Sequence, residues 1–155
     1  MSVIIGLTGP TGAGKSTAAA AAEGFGLQVI DCDKLARAAA EKGTDGLKAL
    51  VAAFGEEILL TDGSLDRRAL AAAAFASPQK TELLNETILP HIVKLVLAEA
   101  EGKNVLLDAP TLFESGLDSV CTAVIAVSAD TGIRRERIIK RDGLTADAAD
   151  LRINA

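Results

Sequence analysis

Gly9, then four residues, then Gly14-Lys15-Ser16: the spacing G-x-x-x-x-G-K-S supplies what a polyphosphate asks of a protein. Glycine lets the backbone turn so that the N–H groups of Gly12, Ala13, Gly14, Lys15, Ser16 and Thr17 face phosphate oxygens. Lys15 reaches the β and γ phosphates, and the Ser16 hydroxyl ligates Mg²⁺. The apolar run at 3–7 comes immediately before, and a strong helix-forming segment at 17–22 follows, whose N-terminal dipole adds to the anion site. Strand, glycine loop and helix are the context the motif requires, so the segment reads as a nucleotide-binding loop.

Further acids and arginines could complete phosphoryl-transfer chemistry. If the strand ending near Ile30 continues through Asp33, then Asp31 and Asp33 project from one face. A carboxylate there orients a substrate hydroxyl, accepts its proton or holds waters of the magnesium ion; the alternative is an Asp pair that caps the next helix. Arg37 lies one helical turn after Asp33 and pairs with it, with a substrate phosphate, or with solvent. Asp108 ends the hydrophobic run Val105-Leu106-Leu107, like the strand-terminal acid that assists Mg²⁺ in phosphate-loop enzymes. Glu114 holds a substrate group or pairs with a neighbouring arginine. Arg134, Arg137 and Arg141 share one side of a helix expected to begin near Thr131. Arg141, beside the flexible Asp142-Gly143, reads as the one that stabilises charge on the transferred phosphoryl, and Arg134 as a solvated helical charge. His91, the only histidine, reads as a packed or rim residue.

These residues must be positioned by a larger frame. Strand-length apolar runs at 3–7, 27–30, 104–107 and 121–127 alternate with helical patterns, the mark of a parallel sheet with crossover helices. Such sheets place their sites beyond the carboxyl ends of the strands, where the glycine loop, Asp31, Asp33 and Asp108 all fall. The stretch between Asp33 and Asn104 is too long for one crossover and predicts helices at 35–41, 45–54, 66–75 and 79–101, a helical insertion that builds a substrate lobe. Pro90 is expected to bend or break the last of them.

A chain of 155 residues with 49% hydrophobic content reads as a single domain with a real core. No apolar run approaches the roughly 18 residues of a membrane span, and the N-terminus lacks a signal-peptide pattern, which predicts a cytoplasmic protein. Cys32 and Cys121 are too few and too far apart for a disulfide framework or a zinc site. A net charge of −5 and the absence of Trp and Tyr argue against nucleic acid as a partner. Oligomeric state is open.

Several separated segments resemble the dephospho-coenzyme A kinase family, and the resemblance runs along essentially the whole chain. They are Ile5-Gly6-Leu7-Thr8-Gly9, Val29-Ile30-Asp31-Cys32-Asp33 with Arg37, Phe54-Gly55, Asp62-Gly63-x-Leu65-Asp66-Arg67, Phe75, Asp108-x-Pro110-x-Leu112-Phe113-Glu114 and Arg137-x-x-x-Arg141. The resemblance implies an α/β, three-layer P-loop kinase fold with a parallel sheet. Its parts are a nucleotide core at about 1–33 and 103–130, a helical coenzyme A-binding insertion at about 34–102, and a lid at about 131–155. It implies ATP and Mg²⁺ as cofactors, dephospho-coenzyme A as substrate, and transfer of the ATP γ-phosphoryl to the ribose 3′-hydroxyl. By similarity Asp33 is the base or hydroxyl-orienting group, Lys15 and Arg141 are the charge stabilisers, and Ser16 is the metal ligand, with Arg37, Asp108 and Glu114 on the substrate side.

The chain departs from the family at Pro10, Thr11 and Ala13, where Gly, Ile and Ser are usual, and at Thr111, where Leu is usual. The family's His-Pro pair appears as Leu89-Pro90-His91, so no role passes to His91. Family members continue for some tens of residues beyond the position of Ala155 with a strand and helices. The expectation is therefore of a chain that lacks them and is less stable or less active than a longer form; a cooperative melt with normal turnover would count against it. Two other readings stand beside this one: a different small-molecule or nucleotide kinase on the same fold, since acceptor choice lives in the insertion, and a nucleotide-binding module without turnover. An Asn-Lys-x-Asp guanine motif is absent, which disfavours a GTPase.

Overall fold

Strand β1 (Ile4–Thr8) is apolar on both faces and nearly fully buried, as a strand in the middle of a parallel sheet must be. The computed structural model describes residues 2–154. After β1 come α1 (Lys15–Glu23), β2 (Gln28–Asp31), α2 (Cys32–Ala39), α3 (Asp45–Phe54), α4 (Arg67–Ala74), α5 (Pro78–Glu99), β3 (Val105–Asp108), β4 (Ala123–Ala126), α6 (Thr131–Asp142) and α7 (Ala146–Asn154). The strands form one sheet in the order β2-β3-β1-β4. β1 pairs in parallel with β3, Ile4 opposite Val105 and Leu7 opposite Asp108, and with β4, Ile5 opposite Ala123. Burial follows position: β1 and β3 are inside, whereas the edge strand β4 is exposed along its length.

The chain divides into two compact units. One comprises the residues up to Ile30, Gly102–Leu112 and the chain from Cys121 onward; the other comprises Asp31–Glu101 and Phe113–Val120. In the first, α1 packs on β1 and β3, and its alanine-rich face lets Ala19 and Ala22 approach Leu7 and Leu106. In the second, Leu50 and Ile58 centre a core against which Phe54, Leu84 and Ile88 pack. Its helices are punctuated by caps legible as residue types. Thr44 accepts from the Leu47 amide at 3.1 Å, Asp66 from the amides of Arg68 and Ala69 at 3.0 Å, and Ser77 from that of Lys80 at 3.2 Å ahead of Pro78.

Two sequence expectations need correction. β2 ends at Asp31 and α2 begins at Cys32, so Asp31 and Asp33 do not alternate along one strand. Asp31 is instead the N-cap of α2, its carboxylate accepting from the Lys34 amide at 3.1 Å, and Asp33 stands in the first helical turn. α5 also runs through Pro90, so that of the expected bend or break the break does not occur. A proline removes a single helical donor, and a long helix with Ile92 and Val96 buried beyond that point carries the loss.

Leu106 is 2% exposed at the centre of the first core. Leu106→Ala is expected to lower stability by about 3 kcal/mol, as a cavity-forming truncation does, measured as a reduced urea midpoint with an unchanged denaturant slope.

Candidate active site: a phosphate loop held by arginines

Between β1 and α1 the backbone takes the left-handed region at Gly12 (φ 81°) and Gly14 (φ 104°), where an L side chain is strained. A Cβ on Gly12 would also stand 2.9 Å from the carbonyl oxygen of Arg134, so the loop and the backbone of α6 meet there without room for a side chain. No side chain caps the start of α1, which leaves the amides of Lys15 and Ser16 for an anion, whereas the amides of Ala13 and Thr17, expected to face phosphate as well, bond the carbonyls of Pro10 and Gly14 at 3.1 Å. Over this loop opens a cavity of about 660 Å³, of the size that holds a small ligand. Lys15, Ser16 and Thr17 line it together with Arg134, Arg137, Arg141 and Arg152.

Asp108, at the carboxyl end of β3, forms an ion pair with the Lys15 ammonium, both side chains being largely withdrawn from solvent. The outer side of the loop is bound by α6. Arg134 donates from Nε to the Thr11 carbonyl at 2.9 Å, and Arg137 donates from Nη1 to the carbonyls of Gly12 at 3.1 Å and Ala13 at 3.2 Å. Carbonyl and amide point oppositely across a trans peptide, so fixing the Thr11 and Ala13 carbonyls turns the amides of Gly12 and Gly14 away from the arginines. This overturns the sequence reading of Arg134 as a solvated charge.

Arg141 points elsewhere. It grips Asp142 with two bonds, Nε to Oδ1 at 2.7 Å and Nη2 to Oδ2 at 2.9 Å, and Arg152 of α7 bonds the same carboxylate. Hydrogen bonding from Arg141 holds the Asp142 carboxyl below the usual carboxylate range, with the charges of both arginines adding, and Arg141 is held further above its already high value. α7 is tied to α6 by Arg135, whose guanidinium meets both oxygens of Asp150 at 2.8 Å, and Ile138 and Ala149 are fully buried.

The structure thus brings Gly12, Ala13, Gly14, Lys15, Ser16, Thr17, Asp108 and Arg141 together in the first unit. Asp33, Arg37 and Glu114 belong to the second. Asp33 and Arg37 are both exposed on α2 and form no ion pair with each other. Glu114 has its carbonyl bonded by Asn85 Nδ2 at 2.8 Å, and its exposed carboxylate pairs with no arginine among the described residues. Sequence reasoning missed Arg152 and the anchoring role of Arg134. The one available signal was Asp142, an acid at a helix C-terminus, where the dipole disfavours it.

Strand, glycine loop and helix at the carboxyl end of a parallel sheet, with a lysine and a set of arginines around one cavity, define a P-loop phosphotransferase. The family model CoaE, dephospho-CoA kinase, matches residues 3–155. The chain is 42% identical over 161 residues to the dephospho-CoA kinase of Geobacillus kaustophilus, covering all of this chain and 80% of that protein. It is 38% identical over 158 residues to that of Oryza sativa subsp. japonica, with 98% and 69% covered. Among solved structures, TT1252 from Thermus thermophilus superposes with a TM-score of 0.74 at 34% identity over 97% of this chain and 78% of that one. The dephospho-CoA kinase from Campylobacter jejuni shares the fold, with a TM-score of 0.54 at 22% identity over 97% and 78%. The chain belongs to the dephospho-CoA kinase family, the enzymes of the last step of coenzyme A biosynthesis, as the separated motifs of the sequence led us to expect.

Removing both loop anchors, as Arg134→Ala with Arg137→Ala, is expected to weaken ATP binding about tenfold, the effect of roughly one charge-assisted hydrogen bond. Calorimetric titration with ATP measures it. A depressed carboxyl stabilises the folded state above its unfolded pKa and loses that contribution as pH falls through the folded value. Asp142→Asn is therefore expected to lower Tm at pH 7, and the gap between variant and parent to close below pH about 4.

Proposed function

We propose that this chain transfers the γ-phosphoryl of ATP to the 3′-hydroxyl of the dephospho-coenzyme A ribose. The observation that carries the reading is one cavity lined by the phosphate loop, by Lys15, which Asp108 holds from outside the lining, and by arginines of α6 and α7. The acceptor oxygen forms a bond to the γ phosphorus, the bond from that phosphorus to the β–γ bridging oxygen breaks, and ADP leaves. Such a transition state needs positioning and charge neutralisation more than covalent help. Loop amides and Lys15 hold the β and γ phosphates, and Arg141 neutralises charge on the moving group. Asp33, carried by the family motif of residues 29–33, orients the acceptor hydroxyl and takes its proton. Arg37 and Glu114 bind the acceptor.

A magnesium ion fits the residues present. Ser16 offers a hydroxyl and Asp108 a carboxylate, hard oxygen donors of the kind that serve an ion retaining several waters, and no cluster of three or more metal-ligating side chains occurs among the described residues. Bound there, the ion would neutralise phosphate charge. No helix among the described residues is long and apolar enough to cross a membrane, and a cytoplasmic enzyme acting on a soluble substrate accords with that.

ADP formation from ATP and magnesium is expected to depend on dephospho-coenzyme A. Formation driven instead by shikimate, gluconate or a nucleoside monophosphate would overturn the acceptor, and ATP binding without ADP formation would point to a module without turnover. Asp33→Asn is expected to lower kcat about a hundredfold with the affinity for ATP unchanged.

A further inference from the structure

An acid at the last position of a helix faces the negative end of the dipole and is disfavoured there, yet α6 ends on Asp142. What offsets the cost is a pair of guanidiniums. Arg141 grips both carboxylate oxygens, at 2.7 and 2.9 Å, and Arg152 reaches the Oδ2 oxygen from α7. Both arginines are about half exposed, at 58% and 53%, whereas Asp142 between them is 21% exposed. Both also line the cavity over the phosphate loop.

The position of Arg152 is set by packing. Gly143, in the left-handed region at φ 63°, ends α6 and turns the chain back. Thr145 receives the Ala148 amide at the start of α7, and Arg135 and Asp150 pin the two helices together with Ile138 and Ala149 buried. The hairpin thereby delivers a cation eleven residues beyond Arg141 to the same carboxylate. Two bare guanidiniums side by side would repel each other. With Asp142 between them the cluster keeps one net positive charge, and Nη1 of Arg141 and Nη2 of Arg152 are left to meet phosphate oxygens.

We propose that Arg152 is a second phosphate-binding cation of this site, acting on the β and γ phosphates with Arg141, and that Asp142 is the positioning residue that holds the two arginines together. The identity of the anion as the triphosphate of ATP rests on the kinase reading. The arginine pair also explains the acid at the end of α6, which a purely structural clasp would not require, since Arg135 and Asp150 already join the helices.

The test is the affinity of the full chain for ATP and for AMP, which lacks the β and γ phosphates, measured by calorimetry without acceptor. Arg152→Met is expected to weaken ATP binding about tenfold and leave AMP binding unchanged. Arg152→Lys, which preserves a charge for Asp142, is expected to recover part of the loss. Asp142→Asn is expected to weaken ATP binding in the parent and to have no further effect alongside Arg152→Met, the signature of residues acting as one unit. Equal losses for ATP and AMP, or ATP affinity unchanged in both Arg152 variants, overturn the proposal. Turnover with dephospho-coenzyme A is followed in parallel. Its absence in the parent chain would sink the kinase reading alone, because the contrast between ATP and AMP is read without it.

Discussion

A loop that binds phosphate through its own backbone has to hold its shape without the ligand, because each amide left to reorient on binding would cost entropy that the anion must then offset. Here that constraint is met at both ends and along the outer side. β1 is locked between β3 and β4 by parallel pairing, α1 is packed through Ala19 and Ala22 on Leu7 and Leu106, and the carbonyls of Thr11, Gly12 and Ala13 are bound by arginines of α6. The glycines make the conformation accessible, and these contacts select it. The rest of the first unit is the support for that one turn of chain.

Charge is organised around the loop by pairing. Lys15 has Asp108, and every arginine of α6 has an oxygen partner: Arg134 and Arg137 on loop carbonyls, Arg135 on Asp150, Arg141 on Asp142. Ion pairs whose arginines are exposed contribute about 0–1 kcal/mol each to stability, so the importance of Arg135–Asp150 and Arg141–Asp142 lies in geometry. A guanidinium is flat and forked, and a bidentate partner fixes its plane as well as its place. Cations fixed in this way already face the charge that develops as a phosphoryl group moves, which is the form of stabilisation that needs least reorganisation during reaction.

The second unit is a different kind of object. Short helices capped by Thr44 and Asp66 gather on the long α5, capped by Ser77, around Leu50 and Ile58. Asp33, Arg37 and Glu114 project from it, exposed and without ion-pair partners in one another. Exposed polar groups on a helical scaffold are free to be set by a substrate, and acceptor choice in such folds is a property of the insertion more than of the phosphate loop.

Much of this was legible in the residues. Strands at 3–7 and 104–107, the glycine loop, helices at 45–54 and from Thr131, and the separated motifs that resemble one kinase family all follow from local rules: apolar periodicity, cap types and glycine spacing. Those rules reach a few residues. The end of β2 turned on whether Asp31 would continue a strand or cap a helix, two conformations that its side chain serves almost equally well, and the competition was decided by α2 burying Cys32 and Leu35. Pro90 was read by its local cost, whereas the packing of the whole of α5 determined that the helix runs on. Arg134 at Thr11 and Arg152 at Asp142 join positions 123 and 10 residues apart through hydrogen bonds that periodicity does not encode. The sequence by itself determined the chemistry of the loop and the kind of fold that carries it, because both are written in neighbouring residues. Which arginines face that loop, and what holds them there, was decided only by tertiary structure, because it depends on where helices pack after the chain has closed on itself.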